Sequence, residues 1–362
     1  MNVKDVIEKQ FEQIIDQEKV SSLSAYASQL TNGISDQFTL EKILKATLEG
    51  QNIFSSSNII DSFKQLILYE LQGALVIGAE IVGICIIIGL LDHLSGSFES
   101  KDVHEIANLA CCTIIIGLVM INFRDVYDMT LNAVETITYT MDIILPLLIG
   151  ILAGMGQITS SSILNPLLLT MITAFQNIIK LIIIPAIFLA AIFTLLNCLT
   201  EKNYVNQLSK FLRQSALLLT GLIITLMSGI ISIQGLITKT SDGLLMGAAK
   251  YAIDSFIPIV GGFTSDTVEL FLSCMGSIKN IVGVFGIILI ILFILTPISK
   301  TIAIALIYKI TAFLIEPITN KKIAEGINEV GSTLITLSAV LFFSSLLFII
   351  FITSIMKLGG TT

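Results

Sequence analysis

Apolar residues occur along this chain in long blocks, separated by short polar stretches. A helix that spans a membrane needs about 20 predominantly apolar residues. Six blocks reach or approach that length, so the pattern predicts an all-α, polytopic membrane protein. The six blocks are residues 71–91, 107–123, 181–199, 215–236, 281–298 and 333–356.

Four further segments are less regular. Residues 143–155 and 163–175 are each too short to span comfortably, and the stretch between them contains Gly156 and a run of serines. These lengths predict a re-entrant helical hairpin. Residues 243–262 and 301–318 could each span, although each contains an interior lysine and a proline at or near its end. We therefore expect six to nine transmembrane or re-entrant helices.

Residues 1–66 differ in composition from the rest of the chain. Apolar residues recur there at helical spacing, as Val3, Ile7, Phe11 and Ile14 do, which predicts two amphipathic helices. They could pack on each other, lie on the membrane or bind a partner protein, and the sequence leaves this open. We divide the chain into an N-terminal amphipathic region, 1–66, and a polytopic membrane domain, 67–362.

A weak internal repeat is one interpretation of the membrane domain. LPLLIG at 145–150 resembles IPIVGG at 257–262, and two similar pairs follow in the same order. These pairs would relate residues 143–236 to 255–356. Their offsets along the chain vary, so chance resemblance between apolar stretches is the alternative.

Composition supports the membrane class and excludes several functions. Hydrophobic residues make up 54% of the chain and charged residues 13%, with a mean hydropathy of +0.91. The net charge of −7 argues against a nucleic-acid partner. The five cysteines have no metal-ligand spacing, and the chain lacks the motifs of common hydrolases and nucleotide-binding loops. We expect no catalytic residue, metal or cofactor, and hence no enzyme.

The distribution of basic residues predicts the orientation of two connections. Residues 200–214 contain Lys202, Lys210 and Arg213 with a single acidic residue, so we expect them in the cytoplasm. Residues 124–142 contain one arginine and four acidic residues. We expect that connection on the outer side.

Lys250 and Asp254 lie four residues apart in an apolar segment, and Pro258, Gly261 and Gly262 follow them. A lysine or an aspartate at the centre of a spanning helix costs roughly 2.5–3.5 kcal/mol. We therefore predict a broken helix in the protein interior or beside a water-filled path. The alternative is that both charges lie at the membrane interface, with Lys250 extended toward the headgroups.

Three further charged residues lie in apolar surroundings. Glu80 is ten residues into the block 71–91, so it needs a partner on another helix, a polar cavity or a bound proton. Lys309 and Glu316 are two helical turns apart and so share one face. For these two we favour an amphipathic or packing helix near the interface. All eight residues are candidate conduit or helix-contact residues.

Two segments resemble a known family. They are GAAKYAIDSFIPIVGGFTSDTVELFLSCMGSIKNIVG at 247–283 and LIYKITAFLIEPITNKKIAEGINEVG at 306–331. Both resemble stage III sporulation protein AE of endospore-forming bacteria, and the likeness extends from about residue 60 to the C-terminus. The family has no established catalytic residues, so none are assigned here.

The resemblance implies a multi-pass protein of the mother-cell membrane around the forespore. It would be a non-enzymatic subunit of a channel or secretion-like complex, forming or scaffolding the conduit. Implied partners are other stage III sporulation membrane proteins, a cytoplasmic secretion-type ATPase and a forespore membrane protein across the intermembrane space. Whether the chain also forms a homo-oligomer stays open.

Two other functions fit the same features. Broken helices, interior charges and repeats are also typical of a secondary transporter that works alone on a small solute. A structural anchor that recruits ring-forming partners through residues 1–66 is the third interpretation. The start of the chain has no pattern of a secretory signal peptide, so the side of residues 1–66 also stays open.

Overall fold

The computed structural model describes residues 56–95, 101–157, 169–199, 206–256, 261–319 and 321–358. These residues are almost entirely helical, and no strand occurs among them. The described helices are α1 (Ser56–Ser95), α2 (Lys101–Gly154), α3 (169–199), α4 (Asn206–Phe256), α5 (Gly261–Ile315) and α6 (Lys321–Lys357). Each of the six has a segment long and apolar enough to cross a membrane. The all-α membrane class is thereby confirmed.

Several predicted segments belong to single long helices. Residues 107–123 and 143–155 are both part of α2, which has 54 residues and is about 80 Å long. The predicted re-entrant hairpin is wrong, because 143–155 continue α2 and 169–175 begin α3. In the same way α5 joins 281–298 to 301–318, and α4 joins 215–236 to 243–256.

A glycine ends α2. Gly156 adopts a positive φ of 80°, which is a left-handed conformation that glycine enters without steric cost. The N–H of Gln157 then donates to the carbonyl of Leu152, and the N–H of Gly156 donates to that of Ala153. This is a Schellman motif, which satisfies carbonyls that the helix end leaves without partners.

The helix α3 contains a wider turn. Residues Ile179–Ile183 form a π-helical turn, and the N–H of Ile184 donates to the carbonyl of Ile179. Pro185 follows directly and has no N–H to donate. A π-helical turn next to a proline relieves the clash of the ring with the preceding turn, and such turns occur often at functional sites.

The long helices α5 and α6 form the centre of the bundle. They pack along each other as an antiparallel hairpin, while α1 and α2 pack against α5, and α3 and α4 pack against α6. In the most apolar stretch of α5, 67% of the residues are buried, whereas in the corresponding stretch of α4 only 22% are buried. The helices α1 and α4 are therefore peripheral.

Close packing at glycines fixes the register of the centre. Gly331 of α6 packs against Ala305 of α5, and Gly286 of α5 packs against Ile352 of α6 and Ile144 of α2. Residues 286–305 of α5 and 331–352 of α6 thus lie at the same level. A Cβ on Gly286 would lie only 2.8 Å from the side chain of Ile144, so the absence of a side chain allows this approach.

Candidate functional site: a polar stripe on α2

Polar side chains follow one face of α2 through its middle. We name the following six residues the polar stripe: Asp125, Asp128, Asn132, Glu135, Tyr139 and Asp142. Their spacing alternates between three and four residues, which keeps them on one face of an α-helix. All six are exposed in the isolated chain.

The opposite face of α2 is apolar and buried. Val126, Ile137, Met141 and Leu145 belong to the core. Buried threonines on this helix do not need partners elsewhere, because their hydroxyls donate to the carbonyl one turn back, as Thr130 does to Val126 at 2.8 Å. Burial of the apolar face therefore sets the orientation of α2, and the polar stripe points away from the core.

The polar stripe forms one wall of a groove between α2 and α5. The groove has a volume of about 780 Å³. Its α5 wall consists of Leu292, Phe293, Thr296 and Pro297. Asp125, Asp128, Asn132, Glu135 and Tyr139 line the α2 wall, together with Thr136. The groove is thus acidic on one side and mainly apolar on the other.

The groove lies at the level of the most apolar part of the bundle. The α5 residues of the groove, 292–297, lie between Gly286, which packs against Ile352 of α6, and Ala305, which packs against Gly331 of α6. At this level α6 contributes residues 332–351, which include no charged side chain, and α5 contributes one, Lys300. Twenty helical residues cover about 30 Å, the thickness of the hydrocarbon core of a bilayer. The carboxylates are therefore level with a segment of α6 that is long and apolar enough to cross a membrane.

Carboxylates at this depth require water or protein around them. Each ionised aspartate at a helix centre costs roughly 2.5–3.5 kcal/mol when it faces lipid. The stripe carries four carboxylates, so a lipid-facing arrangement would cost on the order of 10 kcal/mol. This cost excludes lipid as the stable environment of the stripe.

Two cations lie beside the stripe. Lys180, in the π-helical turn of α3, donates a hydrogen bond to Glu135, and Arg124 lies 3.7 Å from Asp128 on the same helix. All four of these side chains are partly or largely exposed. With four carboxylates and two cations the stripe keeps an excess of negative charge.

A second polar cluster joins α4, α5 and α6. Arg213 donates to Glu329 at 2.8 Å, and Lys210 lies 3.8 Å from the same carboxylate. Nearby, Lys309 of α5 donates to the hydroxyl of Ser332 at 2.9 Å. We name these residues the α4–α6 cluster.

The predicted site residues are dispersed. Glu80 is exposed on α1, and its carboxyl makes no hydrogen bond or ion pair with another described residue. Lys309 is half-buried at the contact of α5 with α6, whereas Glu316 is exposed in the turn that follows α5. Lys309 bonds to Ser332 and Asn328 of α6, and its position near the membrane interface stays a prediction.

The segment with Lys250 and Asp254 is only partly described. Its helix, α4, ends at Phe256, and α5 begins at Gly261. The side chains of Lys250 and Asp254 lie outside the described part, as does Pro258. Gly261 and Gly262 are the first two residues of α5. A helix boundary thus falls where the sequence predicts a break, and the environment of the two charges stays a prediction.

Sequence reasoning missed the polar stripe as a site. Residues 124–142 were expected to connect two spans on the outer side, but they are the middle of α2 and do not connect separate helices. Their outer position stays a prediction. The alternating spacing of the polar residues was the available signal. Lys180 was also missed, although it is the single charged residue in the apolar stretch 169–198.

A buried lysine was missed as well. Lys279 of α5 is fully buried, and its ammonium group donates to the backbone carbonyl of Leu358, directly after α6. The C-terminal end of a helix carries partial negative charge, which favours a cation there. Lys279 therefore holds the end of α6 against α5.

Comparisons with known proteins identify the family. The family described as stage III sporulation protein AE matches residues 38–359. The protein of that name from Bacillus subtilis (strain 168) is 28% identical over 278 residues, which cover 77% of this chain and 69% of the relative. No solved structure matches the chain. The chain belongs to the stage III sporulation protein AE family, as the resemblance implied.

Proposed function

We propose that this sporulation protein is a non-enzymatic membrane subunit that forms or scaffolds the conduit of a channel, with the polar stripe as part of its lining. One observation carries the proposal. Four carboxylates are exposed at the level of an uncharged, membrane-length segment of α6. Polar groups at that depth are stable beside a water-filled path, and charged rings and stripes are typical of such paths.

The family extends the proposal to a cellular setting. We infer that the protein acts in the mother-cell membrane around the forespore, within a secretion-like complex. Its partners would be other stage III sporulation membrane proteins, a cytoplasmic secretion-type ATPase and a forespore membrane protein.

Water access to the stripe tests the proposal. Asn132→Cys places a thiol at the middle of the stripe without changing its charge. We expect a membrane-impermeant maleimide to label this variant in intact membranes. The matched control is Leu218→Cys on α4, where an apolar side chain is 66% exposed and faces lipid. The control should stay unlabelled, and failure to label position 132 would overturn the conduit proposal.

A self-sufficient transporter is the second candidate. The π-helical turn of α3 and the ion pair between Lys180 and Glu135 favour it, since irregular helices and paired charges mark many transport sites. Proteoliposomes that contain this chain alone distinguish the two functions. A transporter moves solute in them and loses that activity in Glu135→Gln, whereas a channel subunit needs its partners. An anchor shows neither activity.

A further inference from the structure

The polar stripe lies on the outside of one copy of the chain. All six of its residues are exposed, and the groove beside it is open rather than enclosed. One described copy can supply one wall of a water path and cannot surround it. Among the described residues nothing covers the stripe side of α2, so a path there needs further protein.

We propose that this further protein is a second copy of the chain, so that several copies arranged around one axis turn their polar stripes toward a shared path. The proposal rests on the conduit function above. It goes further by identifying the stripe as the face around which copies assemble, and by locating the path between copies instead of within one.

The placement of charge on the stripe supports a copy as the occupant. Subunits related by rotation about an axis along the membrane normal keep every residue at one depth. On this chain each cation is level with a carboxylate, since Arg124 lies beside Asp128 and Lys180 beside Glu135. Rotation therefore brings the cations of one copy to the level of the carboxylates of the next.

The exposure of these groups makes such pairing available. The side chain of Arg124 is 75% exposed, and those of Lys180 and Glu135 are 39% and 47% exposed. None of the three is enclosed by its own chain. A neighbouring copy can share each cation and lower the cost of the excess carboxylates, while water in the path solvates the remainder.

The experiment is a cross-link within native membranes of a sporulating host that carries the full-length chain. Asn132→Cys is treated with a short bis-maleimide. We expect covalent products at two or more times the 39.2 kDa of one copy, with no other protein in them. All variants carry Cys111→Ser and Cys198→Ser, because Cys198 is only half-buried, whereas the native thiols Cys85, Cys112 and Cys274 are buried. This background with no added cysteine, and Leu218→Cys within it, serve as controls. Both controls should remain monomeric.

Three outcomes are distinguishable. Self-cross-links at position 132 support the proposal. A thiol that labels with an impermeant maleimide but gives only monomer, or a product with a different protein, overturns the shared path between copies and leaves the conduit function standing. A thiol that neither labels nor cross-links removes both.

A charge reversal sharpens the result. Glu135→Lys, in the Asn132→Cys background, places like charges of adjacent copies at one level and should reduce the yield of cross-linked products. Adding Lys180→Glu restores the opposite charges and should restore the yield at an equal level of membrane protein. An unchanged yield in both variants contradicts the proposed pairing between copies. The conservative Glu135→Gln separates loss of charge from a failure to fold.

Discussion

Glu135 of the polar stripe and Glu329 of the α4–α6 cluster are both glutamates that contact a cation on a neighbouring helix, and their surroundings differ. The side chain of Glu329 is 26% exposed and contacts both Lys210 and Arg213. Glu135 is 47% exposed and contacts Lys180 within a stripe of excess carboxylates. The first carboxylate stabilises helix packing, and the second leaves unbalanced charge on a surface.

The comparison teaches how to distinguish structural from functional polar groups in a membrane bundle. In the α4–α6 cluster the single carboxylate, Glu329, is partly buried and contacts two cations, so pairing lowers the desolvation cost of that carboxylate. A stripe in which carboxylates outnumber cations gains its stability from water or another protein. Removing a carboxylate should therefore cost more stability in the α4–α6 cluster than in the polar stripe.

The largest loss of stability is expected for Glu329→Leu. This substitution leaves the half-buried Arg213 without its counter-charge and removes the contact with Lys210. The expected loss is about 2 kcal/mol, between the values for exposed and fully buried ion pairs. Thermal unfolding of the purified protein in detergent measures it.

Glu325→Leu is the matched control for that variant. Glu325 pairs with Lys321, one helical turn earlier, and both side chains are largely exposed. Such pairs contribute about 0.3–0.5 kcal/mol. Equal losses for Glu325→Leu and Glu329→Leu would show that the α4–α6 cluster has no special structural role.

A smaller loss is expected for Lys180→Met. The ion pair of Lys180 with Glu135 is partly exposed, so its removal should cost about 0.5–1 kcal/mol. In a double-mutant cycle with Glu135→Gln, a coupling energy of about 0.5 kcal/mol is expected. The same unfolding assay provides all four values, and a coupling of about 2 kcal/mol or more would make the pair a structural one.

The smallest effect on stability is expected when Asp125, Asp128 and Asp142 are all changed to Asn. These side chains are exposed, and the ion pair of Asp128 with Arg124 is largely exposed too, so the free energy of unfolding should change by about 0.5 kcal/mol or less. Formation of heat-resistant spores should nevertheless fall, because the conduit loses its charged lining. Glu325→Gln is a surface control that should sporulate normally.

The triple variant distinguishes most clearly between the polar stripe and the α4–α6 cluster. Normal sporulation of the triple variant, with normal protein levels in the membrane, would contradict a role for the stripe in a conduit. A large loss of stability would instead mean that the stripe carboxylates support the fold as the α4–α6 cluster does.

Little of the site was predicted from the sequence. Lys210 and Arg213 were used only to orient residues 200–214, and Lys309 was assigned to an amphipathic or packing helix without a partner. The polar stripe was readable from its alternating spacing. It was misinterpreted because a cluster of acidic residues between two apolar blocks resembles a loop. The helices that pack against this part of α2 are distant in sequence, so the local pattern contained no indication of them.

Partners from distant helices could not be predicted. Lys180 precedes an isoleucine run and gives no indication that it contacts Glu135, 45 residues earlier. Lys279 and Leu358 are 79 residues apart. Such contacts depend on the register of packed helices. Gly331, against the backbone of Ala305, and Gly286, against the side chains of Ile144 and Ile352, set that register.

The sequence by itself determined the class of the protein: apolar blocks of membrane length can satisfy their backbone hydrogen bonds within a bilayer only as helices or closed barrels, and here they form helices. It also carried the family likeness at 247–283 and 306–331. Only the tertiary structure decided which blocks join into single helices, and that the acidic residues of α2 lie level with an uncharged segment of α6. The physical reason is that depth and pairing belong to the packed bundle, since they depend on distances between helices that local composition does not encode.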